Sequence, residues 1–298
     1  MNLGRRHRYL QNAFGDVPEE HAQYDNASIV ILPIPYDGTS TWMKGADKGP
    51  DAIIQASRNM YLYDIETGTE VYRRGIFTDR PVSEKRSPES MTAAVRERVL
   101  RHCAAGKFVV ALGGEHSVSI GAVRAHAEVY PGLSVLQLDA HADLQQEYNG
   151  SLCNHACVMA RVRELCPAVQ VGIRSVDECE IRSVPSDEIF FAHRLRHDPD
   201  WMERAVSLLT DKVYVTIDLD AFDPSIVPAT GTPEPGGLLW YEALDLLKLV
   251  AAKRMVVGFD IVELCPRRTL WHCDFLAAKL TYQFLSYIFS GGNKRNHE

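Results

Sequence analysis

Seven apolar runs rich in β-branched residues recur along the chain with little polar alternation: ASIVILPIP (27–35), KFVVALGG (107–114), LSVLQLDA (133–140), AVQVGIR (168–174), EIFFAH (188–193), VYVTIDLD (213–220) and RMVVGFDIVEL (254–264). A strand with one wet face alternates with a period of two, so runs this uniform fit strands of a parallel sheet covered on both faces. The covers lie between them. Apolar spacings of three and four predict helices over 90–105, 120–130, 155–165, 199–209, 241–253 and 275–289. Repeated strand, helix, strand succession implies right-handed crossovers. The expected fold is therefore α/β: a single three-layer α/β/α domain over 1–298 with a central, mostly parallel sheet of about eight strands. Residues 1 to about 25 read as an N-terminal extension and those from about 291 to 298 as a flexible tail. At 298 residues the chain has the length of two average domains, but alternating architectures often spend it on one, and no linker or repeat divides it.

Polar residues collect where the apolar runs end: GGEHS (113–117), DAHAD (139–143), DLD (218–220) and DIVEL (260–264). In open α/β sheets the ligand site lies beyond the carboxyl ends of the strands, so these four distant segments are expected at one rim. Side chains at i, i+2 and i+4 of a strand project to one face. Asp139, His141 and Asp143 would thus point one way, as would Asp218 and Asp220. Three polar side chains at the end of LSVLQL would be costly to bury unpaired. With His116 they make six oxygen and nitrogen donors, the set a borderline divalent cation such as Mn(II) prefers. Six ligands suffice for two ions about 3.5 Å apart if two aspartates bridge them. Any one of these motifs alone is an ordinary turn or cap; together they predict a binuclear metal site.

The formal net charge of −7 argues against a general nucleic-acid binder and fits a cationic substrate or none in particular. The N-terminus is basic at first but has no apolar core of signal-peptide length, and no stretch approaches a membrane span, so a cytoplasmic location is expected. Seven cysteines, an odd number, rule out a full disulfide framework and point to a reducing compartment. Cys153 and Cys157 flank His155, but without a second Cys-x-x-Cys half they read as structural rather than as a zinc site or a nucleophile.

At these motifs the sequence resembles the ureohydrolases, the arginase and agmatinase family of binuclear manganese enzymes. The resemblance extends from PIPYDGTSTWMKGADKGPDAIIQAS (33–57) to FLAAKLTYQFLS (275–286) and is most specific at DLDAFDPSIVPATGTPEPGG (218–237), which is similar to the family's third signature. YDGTSTW, GTPEPGG and the histidine of NHACVM resemble the agmatinase branch. The resemblance implies an arginase/deacetylase-like fold and two Mn(II) per chain. His116, Asp139, Asp143 and Asp218 would hold one ion and Asp139, His141, Asp218 and Asp220 the other, with Asp139 and Asp218 bridging. It further implies that His155 shuttles a proton or positions substrate, that Glu263 pairs with a guanidinium, that Asp143 belongs to the catalytic set, and that the chain forms a homo-trimer or homo-hexamer. The chemistry agrees: two cations acidify a shared water for attack on the guanidinium carbon, a carboxylate matches the guanidinium fork, and a histidine can deliver a proton to the departing amine. Urea and an amine result, most simply putrescine from agmatine. Two bland readings stand beside these roles: Glu263 as a structural acid paired with Arg267 or Arg268, and His155 as a helix-start residue without chemistry.

Departures from the family pattern bear on the substrate. Thr216 stands where serine is usual and Ala229 where glycine is common. The loop 144–154 (LQQEYNGSLCN) lacks the arginase run that holds an α-carboxylate, which favours agmatine over arginine. Arg267, Arg268 and Trp271 would lie near the rim and shape a pocket for an acidic or larger ω-guanidino substrate, or else form a solvated loop before the last helix. The competing readings are a ureohydrolase of guanidinobutyrate, another ω-guanidino acid, arginine or formiminoglutamate, and a silent regulator on the same fold. The deacetylases, with one zinc and fewer ligands, fit less well because Asp143 and Asp220 complete a second set.

Overall fold

The computed structural model describes residues 13–290; the first twelve residues of the expected extension and the expected tail lie outside the described residues. Eight strands form one sheet: β1 (Ile29–Ile34), β2 (Ile76–Thr78), β3 (Phe108–Gly113), β4 (Leu133–Leu138), β5 (Ala168–Ile173), β6 (Ile189–Phe191), β7 (Lys212–Asp218) and β8 (Met255–Val262). Their order is β2-β1-β3-β8-β7-β4-β5-β6, and every pairing is parallel. The expected mostly parallel sheet is thus parallel throughout the described residues. β2, an edge strand of three residues, is too short to carry a pattern of its own.

Helices cover both faces. They are α1 (Gly49–Ser57), α2 (Pro88–Ala104), α3 (Val118–Val129), α4 (Val158–Arg163), the one-turn α5 (Glu178–Ile181) and α6 (Ala192–Leu195), α7 (Trp201–Ser207), α8 (Trp240–Lys253) and α9 (Trp271–Ser290). Alternate strand residues serve the two sides. Ile29, Ile31, Val213, Val215 and Ile217 pack with Ile53 of α1, Ala205 of α7, Leu247 of α8 and Phe284 of α9. Leu32, Val109, Val135 and Val257 pack on the other side with Val95 of α2, Val123 of α3 and Met159 of α4. A fully buried aliphatic side chain contributes about 1.5–3 kcal/mol relative to exposure, so strands wetted on neither face become the stiffest part of the molecule. Phe14 and Val17, inside the expected N-terminal extension, are buried in the first of these layers.

Two sequence expectations are corrected here. α1 was not among the expected helices; it begins at Gly49-Pro50, where proline's fixed φ suits a first turn. The helix expected over 155–165 is instead a 3₁₀ turn, His155–Cys157, followed by α4, because the Asn154 side chain caps the turn by accepting from Ala156 N at 3.1 Å. No described helix is long and apolar enough to cross a membrane.

One buried histidine belongs to the packing and not to the site. His126 of α3 lies against Tyr214 with ring centroids 4.7 Å apart, and its Nδ1 bonds the Ala122 carbonyl at 2.8 Å. Gly258 of β8 makes room for it: a Cβ there would lie 2.3 Å from its Nε2. Burial pushes its pKa down from 6.5 to about 4. Below pH 6.5 the unfolded chain binds a proton that the folded chain refuses, so this contribution to stability is complete above that pH and declines toward pH 4. His126→Gln should therefore flatten the pH dependence of denaturant stability across this window, by on the order of 2 kcal/mol between its ends. Parallel slopes for the two proteins in urea titrations would contradict this.

Candidate metal centre and substrate cavity

Four neighbouring central strands, β3, β8, β7 and β4, deliver the polar motifs to one rim. His116 follows β3, Glu263 follows β8, Asp218 ends β7, and 139–143 follows β4. The local geometry is not the extended strand expected from the spacing. β4 stops at Leu138, and Asp220 lies in a 3₁₀ turn, Leu219–Ala221. Asp139 Oδ1 accepts from His141 N at 2.6 Å and Asp218 Oδ1 from Asp220 N at 2.8 Å, so the first aspartate of each motif turns the chain as it leaves the strand. Asp143 then takes a left-handed φ of 53°, with its carbonyl accepting from Met159 N at 2.9 Å at the start of α4. Glu263 is likewise left-handed, at φ 64°. Non-glycine residues rarely adopt this region, and such backbone persists where the surroundings over-determine it.

The side chains converge. Nδ1 of His116 lies 3.0 Å from Asp139, 3.2 Å from Asp143 and 3.1 Å from Asp218; Nδ1 of His141 lies 3.0 Å from Asp220 and 3.6 Å from Asp139. Two groups of donor atoms emerge, His116 with Asp139 and Asp218, and Asp139 with His141 and Asp220, each within 4.8 Å mutually. Asp139 belongs to both.

Whether these residues fit a cation is tested by His116. Its Nε2 is 2.9 Å from Thr216 Oγ1, whose proton goes to Asp260 at 2.6 Å, so Nε2 is the donor and Nδ1 the lone pair. That buried Nδ1 has no hydrogen-bond partner of acceptable geometry although three carboxylates face it. A lone pair and three carboxylate oxygens aimed at one point match a divalent cation. The electrostatics agree. Burial, and then the neighbouring Asp139, push Asp143 up to about 7; burial, Asp220 and Asp139 raise Asp218 well above the carboxylate range. Burial disfavours a charged His141, yet Asp220 and Asp139 outweigh it and drive the imidazole to about 12.

Above this cluster opens a cavity of about 310 Å³, lined by His116, His141, Asp143, Asp218, Asp220, His155 and Glu263, and also by Ser40, Thr41, Trp42, Met43, Gln145, Tyr148, Asp177 and Glu180. The Glu263 carboxylate accepts from His116 N at 2.7 Å, and burial together with Glu115 raises its pKa well above the usual value. No ion pair joins it to Arg267 or Arg268 among the described residues, and neither arginine nor Trp271 lines this cavity. Of the two readings of this segment, the solvated loop before the last helix fits and the pocket-shaping one does not: Trp271 starts α9 and is 69% exposed. His155 faces the cavity with Nδ1 3.1 Å from Thr39 Oγ1; burial, then His116 and His141, hold its pKa down to about 4.

Asp177 and Glu180 are wall residues that the sequence reading missed. They follow β5, whose carboxyl end the strand-end rule could have flagged. Glu180 is buried and accepts from Leu144 N and Asp177 N, both at 2.9 Å, which ties the 144–154 loop to this wall. All seven cysteines are free, and none lines the cavity.

The model of the Arginase family matches residues 27–286. The chain is 38% identical to the N(1)-aminopropylagmatine ureohydrolase of Synechocystis sp., covering 90% of this chain and 92% of that protein. It is 40% identical to the protein of that name from Thermus thermophilus, covering 89% and 91%. Among solved structures it resembles the agmatine ureohydrolase of Thermoplasma volcanium with a TM-score of 0.81 and 31% identity, over 90% of this chain and 92% of that one. An all-parallel sheet, a rim of convergent carboxylates and imidazoles, and matches spanning almost the whole chain lead to one conclusion: the chain belongs to the Arginase family.

Proposed function

We propose that this arginase-family hydrolase cleaves a linear guanidino amine to urea and the corresponding amine. Agmatine is the simplest such substrate, and N(1)-aminopropylagmatine is the one in the names of the two relatives above. The observation that carries the reading is the charge of the cavity wall. Among the described residues it contains no lysine or arginine, while Asp177, Glu180 and Glu263 add acids to the metal-site carboxylates. A substrate ending in a carboxylate would meet no lysine or arginine among the described wall residues, whereas an elongated cation meets acids and the aromatic faces of Trp42 and Tyr148. Arginine, guanidinobutyrate and formiminoglutamate fit less well for this reason.

In this reading His116, Asp139, His141, Asp143, Asp218 and Asp220 hold two Mn(II), a metal suited to a carboxylate-rich donor set. When bound, the ions supply a water acidified enough to attack at neutral pH. The chain's own groups do the rest. Glu263 pairs with the guanidinium through two charge-assisted hydrogen bonds and turns its central carbon toward the metal site. His155, neutral at neutral pH, takes up the proton released in the attack and passes it to the departing nitrogen. Water plus the guanidinium then yields urea plus an ammonium ion, with atoms and charge in balance. The expectations of a cytoplasmic location and of a trimer or hexamer go with this reading, as does that of one domain over 1–298.

Urea release from manganese-loaded protein should favour agmatine and N(1)-aminopropylagmatine over arginine, guanidinobutyrate and formiminoglutamate; a carboxylate-bearing substrate in first place would overturn the cationic reading while leaving the metal site intact. Glu263→Gln should lower kcat/KM on the order of a hundredfold or more, with bound manganese unchanged, because it removes the partner of a buried charge. Asp139→Asn, placed between both donor groups, should lose metal and activity together, as followed by elemental analysis and urea assay. Full retention of both properties in Asp139→Asn would refute the binuclear assignment.

A further inference from the structure

We propose that Thr39 is a positioning residue for His155, its hydroxyl holding Nδ1–H so that the Nε2 lone pair is presented to the cavity. The inference rests on the role given to His155 above. Thr39 lies in the 36–45 loop, 116 positions before the histidine, and meets it twice. Its Oγ1 accepts from the main-chain N of His155 at 3.0 Å and stands 3.1 Å from Nδ1. A hydroxyl has one proton and two lone pairs. One lone pair is taken by the amide, and the second is free to accept from Nδ1–H. In the proposed arrangement the ring proton sits on Nδ1 and the lone pair on Nε2, the nitrogen that takes up a proton in the role given to His155.

Thr39 is itself anchored. Its N donates to Glu115 Oε1 at 3.3 Å, and the fully buried Glu115 is held in turn by Ser117 through Oγ and N, both at 2.8 Å. A continuous chain of hydrogen bonds thus runs from the turn after β3, beside the metal ligand His116, to the ring of His155. The same loop brings Ser40, Thr41, Trp42 and Met43 to the cavity wall. A hydroxyl suits this task better than a carboxylate. It accepts from Nδ1–H in both the neutral and the protonated ring, and it adds no charge to raise the imidazole pKa. Burial therefore keeps its effect, and the ring stays ready to take up a proton and release it.

The test has two arms. Long-range ¹H–¹⁵N spectra of histidine-labelled, metal-free protein, with His155 assigned by its loss in His155→Gln, should give the Nδ1–H tautomer; an Nε2–H ring in the parent overturns the proposal without any Thr39 variant. In urea-release kinetics Thr39→Val should lower kcat about tenfold to a hundredfold, part of what a positioned acid–base group supplies, with KM within about threefold. Thr39→Ser should restore kcat to within about threefold of the parent, and Thr39→Val should add nothing in the His155→Gln background. A serine variant as impaired as valine, or additive losses in the double variant, would count against positioning through His155. If His155→Gln keeps full activity, the role assigned to His155 itself fails. If His155→Gln is inactive and Thr39→Val is not, only the present inference fails.

Discussion

Mutual repulsion among buried carboxylates is the constraint to which the rest of this molecule answers. Asp139, Asp143, Asp218 and Asp220 crowd two imidazoles at one end of the sheet, largely out of water. Left to itself a chain would not bring four such groups together, because desolvation and like charge both oppose it. The fold holds them with the stiffest material it has, four adjacent parallel strands buried on both faces. It also fixes the carboxylates individually through main-chain amides: His141 N on Asp139, Asp220 N on Asp218 and Ala140 N on Asp220.

The constraint extends one layer outward. Thr216 and Asp260 do not face the cavity, yet they decide which nitrogen of His116 is free, and Tyr214 donates to Asp260 at 2.8 Å from below. Thr216, a departure from the serine usual at this position of the family signature, supplies the same hydroxyl. Its extra methyl group is accommodated in a fully buried position. Arg174 does comparable work at the other edge. Its guanidinium bonds the carbonyls of Asp220 at 2.6 Å and Glu234 at 2.8 Å, tying the GTPEPGG turn to the end of β7.

Much of this was legible in the sequence, for identifiable reasons. Uniformly apolar runs have few explanations other than doubly covered strands, and the chemistry-bearing residues sit at their ends, so the sheet and the rim could both be read. What could not be read was local. The i, i+2 spacing of Asp139, His141 and Asp143 suggested an extended strand, but the first aspartate ends the strand by bonding its own main chain, a competition invisible to periodicity. Thr39 could not be connected to His155, since two short polar residues 116 positions apart carry no pattern. Asp177 and Glu180 were missed because RSVDECE looks like any solvated loop until β5 is seen beside β4. Arg267 and Arg268 left two readings open because they follow Glu263 closely in sequence, where a left-handed turn redirects the chain.

Gly114 lets the two parts of the site meet. A Cβ at this position would lie 1.9 Å from the Tyr36 carbonyl oxygen, so the main chain entering the 36–45 loop rests directly on the main chain leaving β3. A joint made of backbone is indifferent to the side chains on either side of it. Residues 40–43 can therefore be exchanged, and the cavity mouth reshaped for a longer or shorter cation, while the joint with the turn carrying His116 stays as it is. Reaction and preference are thereby free to evolve at different rates within one chain.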